Sequence, residues 1–362
     1  MGATIARRFG WVLAPVLAAG AALAADEPEP TAPATVTIQA RGIRLDDALQ
    51  RMRDQTGEAL TDLRGRFGVE AANPTIDLDL KAAPLLRALD EVAAGAGVTV
   101  TPYTGDGSVG IVAGDGGGAE RPPTEYVGPF RVAIESITLV RDFQTGMSAA
   151  NVAFEVAWEP RIRPMLLAMK AGGVEAVDDH GRAIRPLIAS ESGATAVHPE
   201  NSAAELDATL AAPERSAAKL ATLRARIEAT VPADVKTFRF PRIDETRTVR
   251  EGDVAATLQA VEVDEQIWRI AVALEYPGEG PGFESFRQGL FDNRIRLEKA
   301  DGSKFALNGG SSSVGGVGGE LVFEYLFEDV PGEPRDYRLV YEAPGKFVAV
   351  PIDVAFKDVP LP

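Results

Sequence analysis

The sequence predicts a small α+β domain of βαββαβ type followed by two all-β sandwich domains. Apolar residues recur at helical spacing only in the first part of the chain, and they alternate with period two almost everywhere beyond residue 129. A glycine- and proline-rich stretch separates the two patterns. The 362 residues are 45% hydrophobic and 25% charged, which is typical of a globular protein.

The first 24 residues have the pattern of a secretory signal. Arg7 and Arg8 precede an apolar stretch at 11–22, and small residues at 22–24 form a cleavage pattern. Residues 25–34 contain alternating acidic residues and prolines, so we expect a solvated tether there. The prediction is a protein exported to the periplasm or beyond, with no membrane span after cleavage; an uncleaved anchor is the alternative.

The charge of the chain excludes several classes of partner. The formal net charge is −16, and removal of a signal with two arginines and no acidic residue would lower it to −18. Nucleic acids and anionic lipids are bound by clustered basic residues, so neither is expected as a partner. The sequence has no cysteine, which excludes disulfides, thiolate metal sites and a cysteine nucleophile.

The small domain is assigned to residues 35–113, and its first half begins with a strand at 36–40. A helix follows, Gly57 occupies the position that ends it, and a short strand is predicted at 59–63. The apolar face of this helix consists of Leu45, Ala48, Leu49 and Met52.

The second half of the small domain repeats the strand and the helix. Residues 75–80 alternate with period two, and Pro84 opens a second helix. The segments 98–101 and 109–112 predict a closing hairpin. The apolar face of the second helix consists of Leu85, Leu86, Leu89, Val92 and Ala93.

The two strand and helix phrases resemble the small N-terminal domain of secretins and TonB-dependent receptors. The shared x-L-x-x-A-L pattern is carried by Leu45, Ala48 and Leu49 and again by Leu85, Ala88 and Leu89. The stretch 64–74 between the halves departs from that pattern. The resemblance implies a place at a machine of the cell envelope.

The remainder of the chain is assigned to a linker at 114–128 and two sandwiches at 129–248 and 249–362. Alternating strands end at Pro160 and Pro277, and strands that run into Pro232 and Pro344 are each followed by an aromatic strand. These echoes predict a duplication, and the general similarity of antiparallel sandwiches is the alternative.

The whole chain also resembles uncharacterised exported bacterial proteins that join the small domain to two sandwich modules. The segments 131–142, 152–166 and 337–362 carry this second resemblance. It implies no activity, and it assigns no catalytic or binding residue.

Three motifs with catalytic or nucleotide-binding associations have structural interpretations. Gly105 to Gly110 matches G-x-G-x-x-G but lies between two predicted strands, so we expect a turn and no dinucleotide site. His180 and His198 are the two histidines, which excludes a zinc site of three histidines. Ser311 to Ser313 lie in a glycine-rich loop without a G-x-S-x-G elbow.

The acidic residues offer three further candidates. Asp77 and Asp79 share one face of a strand at roughly 7 Å, and a solvated face is expected there in place of a glycosidase pair. The turns at 178–179 and 264–265 lack the spacing of a calcium loop.

We therefore expect a non-catalytic exported protein that mediates protein–protein interaction in the cell envelope. No catalytic, cofactor-binding or metal residue and no cofactor is assigned. The partner is expected to be an envelope protein captured by strand addition to residues 35–113, and the oligomeric state is left open.

Two alternatives stay open. One is an extracellular module that binds a glycan or calcium through sandwich loops, with 277–290 and 308–319 as the binding edge. Trp158 and Trp268 are in phase with apolar faces and are expected to pack in cores, not to stack on sugars. The other is a hydrolase in which two carboxylates meet across domains.

Overall fold

The computed structural model describes residues 31–66, 71–114, 121–187, 195–198, 200–276, 293–315 and 320–362. This part of the chain is mostly β-sheet and contains five sheets and two α-helices, as the patterning predicts. The predicted signal at 1–24 lies outside the described residues. Within the described ranges, no helix is long and apolar enough to cross a membrane.

The N-terminal part has the predicted succession of elements, and because it ends on two strands it is βαββαββ, one strand more than the βαββαβ type. The elements are β1 (Thr35–Arg44), α1 (Leu45–Thr56), β2 (Leu60–Asp62), β3 (Thr75–Pro84), α2 (Leu85–Ala96), β4 (Val98–Thr101) and β5 (Val109–Ala113). The helices bury their predicted apolar faces, and Gly57 and Gly97 end them with positive φ angles of 70° and 69°. β1 pairs antiparallel with β3, while β5 lies between β2 and β4. Together they enclose the N-terminal core, which includes Leu49 and Leu89.

The remaining sheets are built from sixteen strands in the described chain. They are β6 (Thr124–Val127), β7 (Phe130–Arg141), β8 (Ser148–Trp158), β9 (Leu166–Asp178), β10 (Ala183–Ile184), β11 (Thr195–Ala196), β12 (Ala203–Ala211), β13 (Lys219–Phe240), β14 (Arg247–Glu251), β15 (Val254–Asp264), β16 (Ile267–Glu275), β17 (Arg294–Lys299), β18 (Lys304–Ala306), β19 (Ser311–Gly315), β20 (Glu320–Glu328) and β21 (Tyr337–Pro360).

Two β cores form between three of these sheets. A four-stranded sheet, β12-β8-β7-β6, and a five-stranded sheet, β14-β15-β16-β20-β19, each pack against one part of a seven-stranded sheet, β10-β9-β13-β21-β17-β18 with β11 beside β9. Trp158 lies in the first β core and Trp268 in the second, and each is 2% exposed. The prediction that both tryptophans pack in cores is therefore confirmed.

The two longest strands cross from one β core to the other. β13 and β21 pair antiparallel from Lys219↔Pro360 to Phe240↔Leu339, and the register is irregular around Asp234. We call residues 232–235 and 344–347 the crossover region. On one side of it these strands contribute to the first β core, and on the other side to the second.

This topology changes the expected division of the chain at 248/249. Val350, Ile352, Val354 and Phe356 were expected in the second sandwich, but they are buried in the first β core. The period-two pattern identifies a half-buried strand, but it does not identify the sheet that the strand joins. The boundary predicted from sequence thus does not separate the two cores.

Two segments expected to be irregular contain strands. β6 lies within the predicted linker 114–128 and pairs with β7. Within β6, Tyr126 packs on the N-terminal core and Val127 packs on the first β core. β19 lies within the predicted loop at 308–319 and pairs with β20. Pairing with a neighbouring strand orders both segments despite their composition.

Candidate functional site

The glycine motif connects two strands, as expected. Gly105 to Gly110 follows β4 and ends inside β5, so no helix N-terminus follows it. Asp106 accepts hydrogen bonds from the Ser108 amide (3.0 Å) and the Thr104 hydroxyl (2.7 Å), and hydrogen bonds from these two residues lower its pKa. The Gly107 amide donates to the carbonyl of Glu200 at 2.8 Å. The motif therefore holds a turn against the first β core.

Asp77 and Asp79 lie on the exposed face of β3, as predicted. The Gly42 amide donates to Asp77 at 2.7 Å. Gln39 Nε2 and Lys81 Nζ contact Asp79 at 2.6 and 3.0 Å, and these hydrogen bonds lower the pKa of Asp79. Both carboxylates are engaged in holding the β1–β3 pair together.

The turn after β9 brings three possible metal ligands together. Ligand atoms of Asp178, Asp179 and His180 lie within 4.8 Å of one another. Asp178 accepts hydrogen bonds from the amides of His180 and Arg182 (both 2.9 Å) and from Arg182 Nε (2.8 Å). A cation here would have to displace the guanidinium, so the cluster is a structured turn. His198 lies elsewhere, in the segment after β11.

Two buried carboxylates meet between the N-terminal core and the first β core. Glu159 is fully buried, and both of its carboxylate oxygens accept the Ala34 amide, at 2.9 and 3.1 Å. Glu58 accepts the Arg161 amide at 3.0 Å. The Arg161 guanidinium contacts both carboxylates, at 3.1 Å from Glu58 and 2.7 Å from Glu159. Burial raises the pKa of Glu58 and of Glu159.

The hydrolase alternative requires two carboxylates from distant parts of the chain to lie close together, and these two carboxylates do so. Backbone amides and Arg161 contact both carboxylates, although Glu58 Oε1 has no hydrogen-bond partner among the described residues, so the arrangement holds two parts of the chain together. Sequence reasoning missed this cluster because its members are far apart in the chain. We call Glu58, Glu159 and Arg161 the docking cluster.

A second set of polar contacts joins helix α2 to the sheet of the first β core. Arg131 Nε donates to Asp90 at 2.8 Å, and its NH1 group donates to Glu155 at 2.7 Å. The hydroxyl of Tyr126 also donates to Asp90, and the Arg87 guanidinium lies 4.9 Å from the centre of the Tyr126 ring. Burial raises the pKa of Glu155. The N-terminal core is thus held by two separate polar networks.

The hairpin between β7 and β8 projects an apolar tip into solvent. Phe143 is 90% exposed and Met147 is 56% exposed, with Leu139 and Val140 also exposed beside them. Asp142 orders the turn: it accepts the Gln144 amide at 2.7 Å and the Thr145 hydroxyl at 2.7 Å. We call residues 139–147 the apolar tip. Phe143 and Met147 in a turn sequence are the signal that could have revealed it.

A cavity of about 680 Å³ lies at the crossover region. Its wall comes from the N-terminal part (Ala59, Asp106), from the first β core (Trp158, Ile162) and from the strands of the second (Arg294). The predicted binding edge at 277–290 lies outside the described residues. The cavity was missed at the sequence level because three distant segments enclose it.

Comparisons with known proteins give no family for this chain. No family model and no curated protein matches the sequence. Among solved structures, a conserved domain protein from Bacillus anthracis has a TM-score of 0.19 and 11% identity, over 66% of this chain and 90% of that chain. A structure of manganese lipoxygenase of Gaeumannomyces graminis with part of zonadhesin of Komagataella pastoris has a TM-score of 0.12 and 9% identity, over 62% and 94%. Similarities of this size carry no argument about fold or function.

Proposed function

We propose that this chain is a non-catalytic exported protein that binds a partner protein in the bacterial cell envelope through its apolar tip. The observation that carries the proposal is the exposure of Phe143 at the end of an ordered hairpin. Leaving one such side chain in water forgoes about 1.5–3 kcal/mol of burial free energy. A partner with an apolar pocket recovers that free energy on binding.

The order of the tip supports recognition of a protein surface. The β7–β8 ladder continues to the pair Arg141↔Ser148, and the Asp142 amide donates to the Met147 carbonyl at 2.9 Å. An ordered projection loses little conformational entropy on binding, which favours affinity. The formal charge of −16 opposes insertion of the tip into an anionic bilayer.

Export and the domain layout belong to the same proposal. The signal pattern at 1–24 and the resemblance of residues 35–113 to secretin and receptor N-domains support a place in the envelope. We infer an α+β domain and two β-sandwiches, with the last strand shared between the sandwiches. Strand addition is less favoured at β1, because the Gln55 side chain pairs with the amide and carbonyl of Thr37 at 2.8 and 3.0 Å.

The test is site-specific photo-crosslinking of the full chain in cells. A photoreactive residue at position 143 is compared with one at position 263, since Val263 is 50% exposed at the corresponding hairpin of the second β core. We expect a discrete protein adduct at 143 and none at 263. The double variant Phe143→Ser/Met147→Ser should lose capture of that protein, whereas Val263→Ser/Ile267→Ser should retain it.

Two results would overturn this function. Equal crosslinking at both positions would show that position 143 has no specific partner. Crosslinking of lipid at 143, or flotation of the full chain with zwitterionic vesicles that depends on Phe143, would assign the apolar tip to a membrane surface.

A further inference from the structure

The cavity at the crossover region has a buried floor and an exposed rim. Trp158, Ile162 and Met165 contribute buried apolar side chains. The exposed rim residues are Asp106, Arg163, Val235 and Arg294. Its volume of about 680 Å³ lies in the range of small-molecule sites, which are mostly apolar with a few oriented polar groups.

The acidic groups of the wall are already engaged. Asp106 accepts hydrogen bonds within its own turn. Glu342 accepts Arg296 NH1 at 2.9 Å, although its register partner on β17 is Arg294. Neither carboxylate therefore needs a cationic ligand.

Two polar side chains of the wall are not engaged by the described residues. Among the described residues, the Arg294 guanidinium has no hydrogen bond or ion pair, and neither has the side-chain amide of Asn201. Arg294 comes from the second β core and Asn201 from the segment before β12, so they approach the cavity from different parts of the fold. A guanidinium matches a carboxylate, and an amide both donates and accepts a hydrogen bond.

We propose that this cavity binds an N-acylated hydrophobic α-amino acid, which is the chemistry of a peptide's carboxyl end. Arg294 pairs with the α-carboxylate and Asn201 pairs with the amide group. The apolar side chain lies over Trp158, Ile162 and Met165. This site is separate from the apolar tip and does not depend on the function proposed for it.

Calorimetric titration of the full chain with N-acetyl-L-leucine tests the site, with N-acetyl-L-leucinamide as the uncharged comparison. We expect the acid to bind and the amide to bind at least about tenfold more weakly, because a charge-assisted hydrogen bond is lost. Arg294→Gln should weaken binding of the acid by a similar factor. Arg250→Gln, at an exposed arginine on β14, is the matched control and should leave binding unchanged.

The fluorescence emission of Trp158 is a second measurement of binding, made in a Trp11→Phe/Trp268→Phe background.

A titration with a ten-residue peptide ending in leucine separates two sources of the ligand. Weaker binding of the peptide than of N-acetyl-L-leucine assigns a free acylated amino acid, and peptide binding that is equal or tighter assigns the carboxyl end of a polypeptide; both support the site. The proposal is wrong if neither probe binds at millimolar concentration, or if acid and amide bind equally. The Phe143→Ser/Met147→Ser variant should bind the probe normally, which keeps this test independent of the partner.

Discussion

Glu58 and Glu159 are buried side chains, and their protonation changes the free energy with which the N-terminal core is held against the first β core. Burial raises the pKa of both above the ordinary value of 4.5, and their mutual repulsion raises that of Glu58 further. A raised pKa in the folded state adds stability that is fully present below 4.5 and is lost as the pH rises through the folded pKa. Acidification from neutral pH toward 4.5 should therefore strengthen the docking.

The variant Glu58→Gln tests this pH response. Because it removes one titrating group, the gain in free energy of unfolding between pH 7 and pH 4.5 should be smaller than in the parent chain. Urea unfolding followed by the helical circular dichroism signal measures it, since α1 and α2 are the α-helices of the described chain. Glu175→Gln, at an exposed residue of β9, is the control. An unchanged pH dependence in Glu58→Gln would contradict the assignment.

Among the elements, β21 has the least expected position. Ile352 is fully buried in the first β core, although it lies in a strand that begins in the second. We expect Ile352→Ala to lower the free energy of unfolding by about 2–5 kcal/mol, since a buried side chain is truncated. The midpoint of Trp158 emission during urea unfolding measures this effect. Val235→Ala, at an exposed position on β13, should change it by less than about 0.5 kcal/mol; equal effects would contradict the shared strand.

The helices and the β strands differ in how far sequence predicts them. Helix α1 and its end at Gly57 follow from local spacing and from a glycine that adopts a positive φ angle. Pro232 and Pro344 indicate strand ends because proline cannot donate to a ladder, yet β13 and β21 continue through them. The two proline segments lie side by side, since Val235 and Pro344 are partners in one ladder. Pairing over such a distance leaves no local signal.

The same contrast holds for the candidate sites. Asp77 and Asp79 were placed correctly on a solvated face because a strand period defines a face. The docking cluster and the cavity each combine side chains from distant segments, so no spacing in the sequence indicates them.

For the molecule as a whole, the shared strands predict cooperative unfolding of the two β cores. β13 and β21 contribute buried apolar residues to both cores. If these strands detach from one core, apolar residues of the other core are therefore exposed as well. Single-tryptophan variants that retain Trp158 or Trp268, with Trp11 also replaced by Phe, report the cores separately. Their urea transitions should coincide, as in a two-state system. Two resolved transitions would show that the cores are independent despite the common strands.

The return of β21 to the first β core also determines when this core can form during synthesis of the chain. A ribosome makes β7 to β13 long before it reaches Val350 to Phe356, so the first β core lacks a strand while β14 to β20 are being made. Until then the edge of β13 remains open beside exposed apolar side chains, a state that invites aggregation or chaperone binding. A nascent chain arrested before Val350 should remain sensitive to protease throughout this core.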